Sequence, residues 1–306
     1  MKFLERALDG QNQFWKYVIV FLGGFLGGQI VGAIPLGIVI VLKTMAGGVI
    51  NPENVMDFTA LGLSKNLGLF LMLLPTVVSL IFTILLIKSL HRRTFAETVN
   101  GRKKIRFNRF FMGVLVWGIL MAIYLIGDYW ANPQNYVLQF DWKAFIPLLL
   151  ISVLFIPLQT TSEELLFRGY LAQGIAGWTK NRWLAVLIPG LLFGLLHISN
   201  PEVKEFGFWL AMPQYVFFGL LFGLIAVLDD GIELPMGMHA INNVFLSLFT
   251  THSASALQTD AVFEIKSLDP AKDLVSLIII GIACFAYFSV KYKWDIRVLN
   301  KKVTND

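Results

Sequence analysis

Long, nearly unbroken apolar runs restrict this chain to folds that a lipid bilayer can hold. A helix crosses the hydrocarbon core with about 20 predominantly apolar residues. By that measure the sequence contains spans near 14–42, 67–89, 109–127, 144–159, 183–198, 208–228, 234–250 and 274–291. A further helix near 160–177 is too polar on one face to sit in lipid. The composition agrees, because 56% of the 306 residues are hydrophobic and only 15% are charged, against about 25% charged in an ordinary soluble domain. The expected fold is therefore all-α, a polytopic transmembrane helical bundle of about eight spans with its polar site inside. No repeat, low-complexity tract or hydrophilic linker interrupts it, so residues 1–306 read as a single membrane domain.

Lys and Arg favour cytoplasmic loops, and the segment from Lys88 to Arg109 is the most basic in the chain. Counting spans outward from it places both termini and the turn at Lys180 and Arg182 on the same, cytoplasmic side. The net charge of +5 is explained by this orientation, so nucleic acid is not an expected partner. The amino-terminal apolar run is far longer than a signal-peptide core and reads as a retained anchor. With Cys284 as its one cysteine the chain has no intrachain disulfide and no cysteine metal cluster. Gly23, Gly24, Gly27, Gly28 and Gly32 in the first span form a small-residue pattern assigned to close helix packing.

Ionisable groups inside a membrane bundle are costly and mark function by default. They fall in three places: Thr160 to Gly169, Phe193 to His197, and His239 to Asn243. Glu164 and Arg168 are four residues apart, on one helix face, in the order that favours an ion pair. Glu163 sits about 100° around the helix from Glu164 and is left as the carboxylate free for chemistry. The same residues also fit two capping boxes, Thr160 with Glu163 and Thr161 with Glu164, just after Pro157. His239 and Asn243 share a helix face, with Asn242 close to it, although Asn and His also brace helices in lipid by hydrogen bonds. Of the four histidines, His91 is assigned to the basic loop and His252 to the loop after the seventh span, which leaves His197 and His239 within or beside apolar spans. A carboxylate, two imidazoles and an amide supply what peptide hydrolysis needs: a base for water, and donors for the oxyanion. No HExxH pair or nucleophile elbow is present.

The three motifs read Glu163-Glu164-x-x-x-Arg168, Phe193-x-x-x-His197 and His239-x-x-x-Asn243. They resemble the signature of the CPBP family, membrane endopeptidases that include type II CAAX prenyl proteases and bacteriocin-processing or bacteriocin-immunity (Abi) proteins. The resemblance covers about residues 144–250, a CAAX-protease-like catalytic core within the single domain. It implies that Glu163 and His197 activate water, that His239 and Asn243 stabilise the oxyanion, and that Glu164 and Arg168 are structural support. It also implies a membrane-associated peptide or protein as substrate, in a bacterial-type plasma membrane. The metal-free glutamate route is preferred, with no cofactor; a Zn2+ ion held by Glu163, His197 and His239 is the alternative. A non-enzymatic immunity or regulatory protein, in which these residues only brace helices, is the competing class. A straightforward span count leaves one conflict, since it sets His197 toward the far side of the membrane and His239 toward the cytoplasmic side.

Overall fold

The computed structural model describes residues 2–49 and 58–304. Its helices are α1 (Phe14–Met45), α2 (Lys65–His91), α3 (Phe95–Asn100), α4 (Phe107–Ala131), α5 (Trp142–Thr179), α6 (Arg182–Leu195), α7 (Pro201–Phe206), α8 (Phe208–Leu228), α9 (Glu233–Phe249) and α10 (Pro270–Tyr292). Three short strands, β1 (Tyr136–Leu138), β2 (Thr250–Thr251) and β3 (Phe263–Ile265), form a small sheet in the order β1-β3-β2. The chain is an integral membrane protein: among the described residues, six helices are long and apolar enough to cross a bilayer, namely α1, α2, α4, α5, α8 and α10.

The expectation of about eight full spans needs correction in two places. The run near 183–198 becomes α6, only 14 residues long, or about 21 Å at 1.5 Å per residue. The run near 234–250 becomes α9, 17 residues long. Hydropathy overstates α6 because Leu196 and Ile198 continue the apolar run after the helix has stopped. The expected break near residue 160 is also absent. The segment at 160–177 continues the helix from Trp142, so Thr160 and Thr161 are interior residues and cap nothing. The Thr160 hydroxyl donates to the carbonyl of Pro157 instead (3.3 Å). Within α5 the backbone widens to a π-helical turn over Leu165–Leu171, a local distortion found often at functional sites.

Both ends of the described chain lie at one end of the bundle. The Lys2 amide donates to Asp230 (2.8 Å), Glu5 pairs with Arg182, and the Val303 amide donates to the Lys180 carbonyl (3.0 Å). The basic segment closes the same end, where Arg106 reaches both Asp229 (3.1 Å) and Glu233 (2.5 Å) and Arg109 reaches Asp229 (3.2 Å). Burial lifts the Asp229 carboxyl to about 6, with the two guanidiniums pulling the other way. His91 is not in a solvated loop: it ends α2, buried, with its ring between the Gln11 carbonyl (2.8 Å) and the Tyr170 hydroxyl (2.6 Å).

Close backbone approach explains the glycines of α1. A Cβ on Gly28 would stand 2.4 Å from the Ser79 Cα, and one on Gly32 2.5 Å from the Pro75 Cα, so one glycine face lies directly on α2. Gly37 faces open space. We expect Gly28→Val to lower unfolding free energy in detergent by about 1–3 kcal/mol through overpacking, and Gly37→Ala to leave it unchanged or slightly raised, as measured by thermal melts.

Candidate active site

Four helices deliver the polar residues to one place. Glu163, Glu164 and Arg168 come from α5, at and just before its π-helical turn. Phe193 lies in the last turn of α6, and His197 follows in the turn beyond it. His239, Asn242 and Asn243 come from α9, while α8 supplies Tyr215, Phe218 and Phe222.

At the centre, Arg168 donates to Glu164 (2.8 Å), and the side chains are 1% and 0% exposed. A buried ion pair gains from partners for its remaining hydrogen-bonding capacity, and here that capacity is met in part, with Glu164 Oε2 and Arg168 Nε left without a hydrogen-bond partner among the described residues. Arg168 also donates to the Phe218 carbonyl (3.3 Å) and lies 3.9 Å above the Phe193 ring. The same Glu164 oxygen accepts from Nδ1 of His239 (2.8 Å). The pair therefore fixes the orientation of the His239 ring and turns Nε2 toward Glu163, whose Oε2 is 3.7 Å away. That separation is too long for a direct hydrogen bond.

Glu163 is the more open carboxylate, 16% exposed against 0% for Glu164. Its Oε1 accepts from the amide nitrogen of Gln159 (2.6 Å), one turn earlier on α5, and the Gln159 oxygen accepts from Asn243 (3.4 Å). His197 is half-buried; its Nδ1 donates to the Phe193 carbonyl (2.9 Å), which leaves Nε2 as an acceptor. Its ring stacks on Tyr215 with centroids 4.4 Å apart and planes 16° from parallel. The Tyr215 hydroxyl is in turn held by Asn200 (3.1 Å). Beside it, burial pushes the Glu202 carboxyl up, against the Ala256 amide that donates to it.

The depth conflict between the two histidines disappears because α6 is short and α9 starts inside the protein. Glu233, the first residue of α9, is fully buried, and a Cβ on Gly169 would lie 3.4 Å from Ile232 just before it. His239 thus comes level with the lower part of α6, where its ring is 5.9 Å from that of Phe193.

Among the described residues, no group of three or more His, Cys, Asp or Glu side chains is arranged to hold a metal ion. Sequence reasoning also missed Gln159, Tyr215 and Trp117, whose indole nitrogen donates to Asn242 (3.1 Å). No motif signals them, because their partners lie on other helices or one turn away.

Residues 142–245, from the first residue of α5 into α9, match the family model described as type II CAAX prenyl endopeptidase Rce1-like. Over 253 residues the chain is 31% identical to the uncharacterized protein YyaK of Bacillus subtilis (strain 168), a match covering 82% of each chain. The chain thus carries a CAAX-protease-like domain over residues 142–245, within a longer stretch similar to YyaK. No solved structure matches it. All of the motif residues lie in the part that matches the CAAX-protease-like model, whereas α1, α2, α4 and α10 lie outside it.

The two adjacent glutamates should respond differently to substitution. Arg168→Met leaves Glu164 buried and uncompensated and should destabilise the protein by about 3–5 kcal/mol. Glu163→Gln, at a more open site, should change stability by less than about 0.5 kcal/mol. Chemical denaturation of the purified variants in detergent micelles measures both.

Proposed function

We propose that this protein is an intramembrane endopeptidase that hydrolyses peptide bonds of membrane-associated peptides or proteins, CAAX-type processing among them. The observation that carries the reading is the placement of Glu163, with its Oε2 3.7 Å from His239 Nε2 and its Oε1 joined through Gln159 to Asn243. A carboxylate, an imidazole and an amide thus lie in one cluster, and the Phe193 ring lies between those of His197 (4.8 Å) and His239 (5.9 Å).

In this mechanism a water held between Glu163 and Nε2 of His197 gives a proton to the carboxylate as its oxygen attacks the scissile carbonyl carbon. The carbonyl oxygen takes up negative charge and is met by Asn243 and His239. Donation from His239 Nε2 requires the ring to carry hydrogen on both nitrogens, since Nδ1 is committed to Glu164. When the tetrahedral intermediate collapses, the carbon–nitrogen bond breaks and the proton held by Glu163 passes to the leaving amine. Glu164 and Arg168 touch no reacting atom and keep His239 in place. The end that carries both termini and the basic segment faces the cytoplasm in this reading.

The bracing alternative draws on the Glu164–His239 contact, which joins α5 to α9 regardless of chemistry. Comparative peptidomics of membranes from cells making the wild-type chain, Glu163→Ala or His197→Ala separates the two. We expect both variants to insert and accumulate normally while a set of wild-type cleavage products disappears, and Asn243→Ala to slow their formation by about 10²–10³-fold. Identical peptide populations in all samples would leave bracing as the role of these residues.

A further inference from the structure

The catalytic amide and the catalytic carboxylate of the proposed mechanism lie on one hydrogen-bonded chain that begins on a helix outside the family match. Trp117 of α4 donates from Nε1 to Oδ1 of Asn242 (3.1 Å). Asn242 donates from Nδ2 to Oδ1 of Asn243 (3.0 Å). Asn243 donates to Oε1 of Gln159 (3.4 Å), the longest link, and Gln159 donates to Oε1 of Glu163 (2.6 Å).

The direction of this chain is forced from both ends. An indole nitrogen only donates, and a carboxylate oxygen accepts. Asn242 must therefore turn its oxygen to Trp117 and its nitrogen onward; the same choice then passes to Asn243 and to Gln159. The carboxylate end reaches the two asparagines only through the long Asn243–Gln159 link (3.4 Å), so their order is loosely held without the indole. With it, Asn243 keeps its oxygen occupied and presents N–H groups only, the polarity that an oxyanion site needs.

Trp117 is well placed to impose this order. It is 0% exposed and wedged against the rings of Phe218 (5.8 Å) and Phe222 (5.7 Å) of α8. The backbones of α4 and α9 touch one turn away, since a Cβ on Gly113 would stand 2.5 Å from the Leu234 carbonyl oxygen and one on Gly237 2.0 Å from that of Phe110. Such an approach brings the indole within reach of the short Asn242 side chain.

We infer that Trp117 and Gln159 are positioning residues, Trp117 by fixing the polarity of the Asn242–Asn243 amides and Gln159 by passing it to Glu163. The inference rests on the endopeptidase reading for its kinetic consequence, but the hydrogen-bonded chain can be tested without it. Trp117→Phe keeps an aromatic ring among Phe218 and Phe222 and removes the donor. With a quenched-fluorescent peptide bearing a bond that the wild-type chain cuts, kcat should fall about tenfold, the effect of losing one neutral hydrogen bond, with KM unchanged. A matched loss of thermal stability and activity, removed together by a stabilising lipid, would mean packing alone and would overturn the assignment.

The second measurement is independent of activity. In protein labelled with 15N-tryptophan, the Trp117 indole resonance is identified by its disappearance in Trp117→Phe. It should shift in Gln159→Met and in Glu163→Ala, because bonds in a chain polarise one another. If it stays fixed in both, the chain is not coupled and the inference fails, whatever the activity. If it moves in a protein that cuts no peptide, the coupling stands and the endopeptidase reading falls.

Discussion

One buried ion pair holds the site together. Glu164 and Arg168 give up water almost completely, at a cost that their mutual attraction alone does not recover. The surroundings return part of it: the Phe218 carbonyl and the face of Phe193 for the guanidinium, and the Nδ1 hydrogen of His239 for the carboxylate. These contacts reach from α5 to α6, α8 and α9, so four helices must be assembled before the pair has them. An unsatisfied charge at this depth is worse than none, and the penalty selects the register in which His239 and Glu163 face each other. The energetic load carried by Glu164 is also what leaves Glu163 free of any guanidinium.

The π-helical turn over Leu165–Leu171 belongs to the same solution. Arg168 sits within it, so the pairing that the 3.6-residue repeat predicts survives a local widening of the helix. The second lock lies nearer the end that carries the termini, where Arg106 and Arg109 hold Asp229 and Glu233. That lock holds Glu233, the first residue of α9, six residues before His239.

Much of this was legible in the sequence, and the failures share a cause. Hydropathy located the helices because lipid tolerates backbone only when its own hydrogen bonds are made, and helical periodicity separated Glu163 from Glu164. Neither signal reports where an apolar helix stops. Leu196 and Ile198 are as apolar as the residues of α6 itself, and Pro157 starts no new helix because α5 passes through it. Local patterns also left capping by Thr160 and Thr161 open, a role excluded by their place inside α5. The remaining errors are contacts across great sequence distance: His91 meets Tyr170 at a separation of 79 residues, and Trp117 meets Asn242 at 125. No short motif carries such information, and both residues sit in stretches that read simply as basic loop and lipid-facing span.

The length of α6 has a further consequence for the surrounding lipid. A helix of about 21 Å ends well short of a hydrocarbon layer about 30 Å thick, and its end is polar, with Ser199, Asn200 and Glu202 following His197. Such a mismatch is relieved by thinning of the bilayer or by headgroups and solvent following the helix end inward. A bilayer that met α6 in this way would be dented beside His197, and the dent would be a route for water to a carboxylate otherwise sealed in oil.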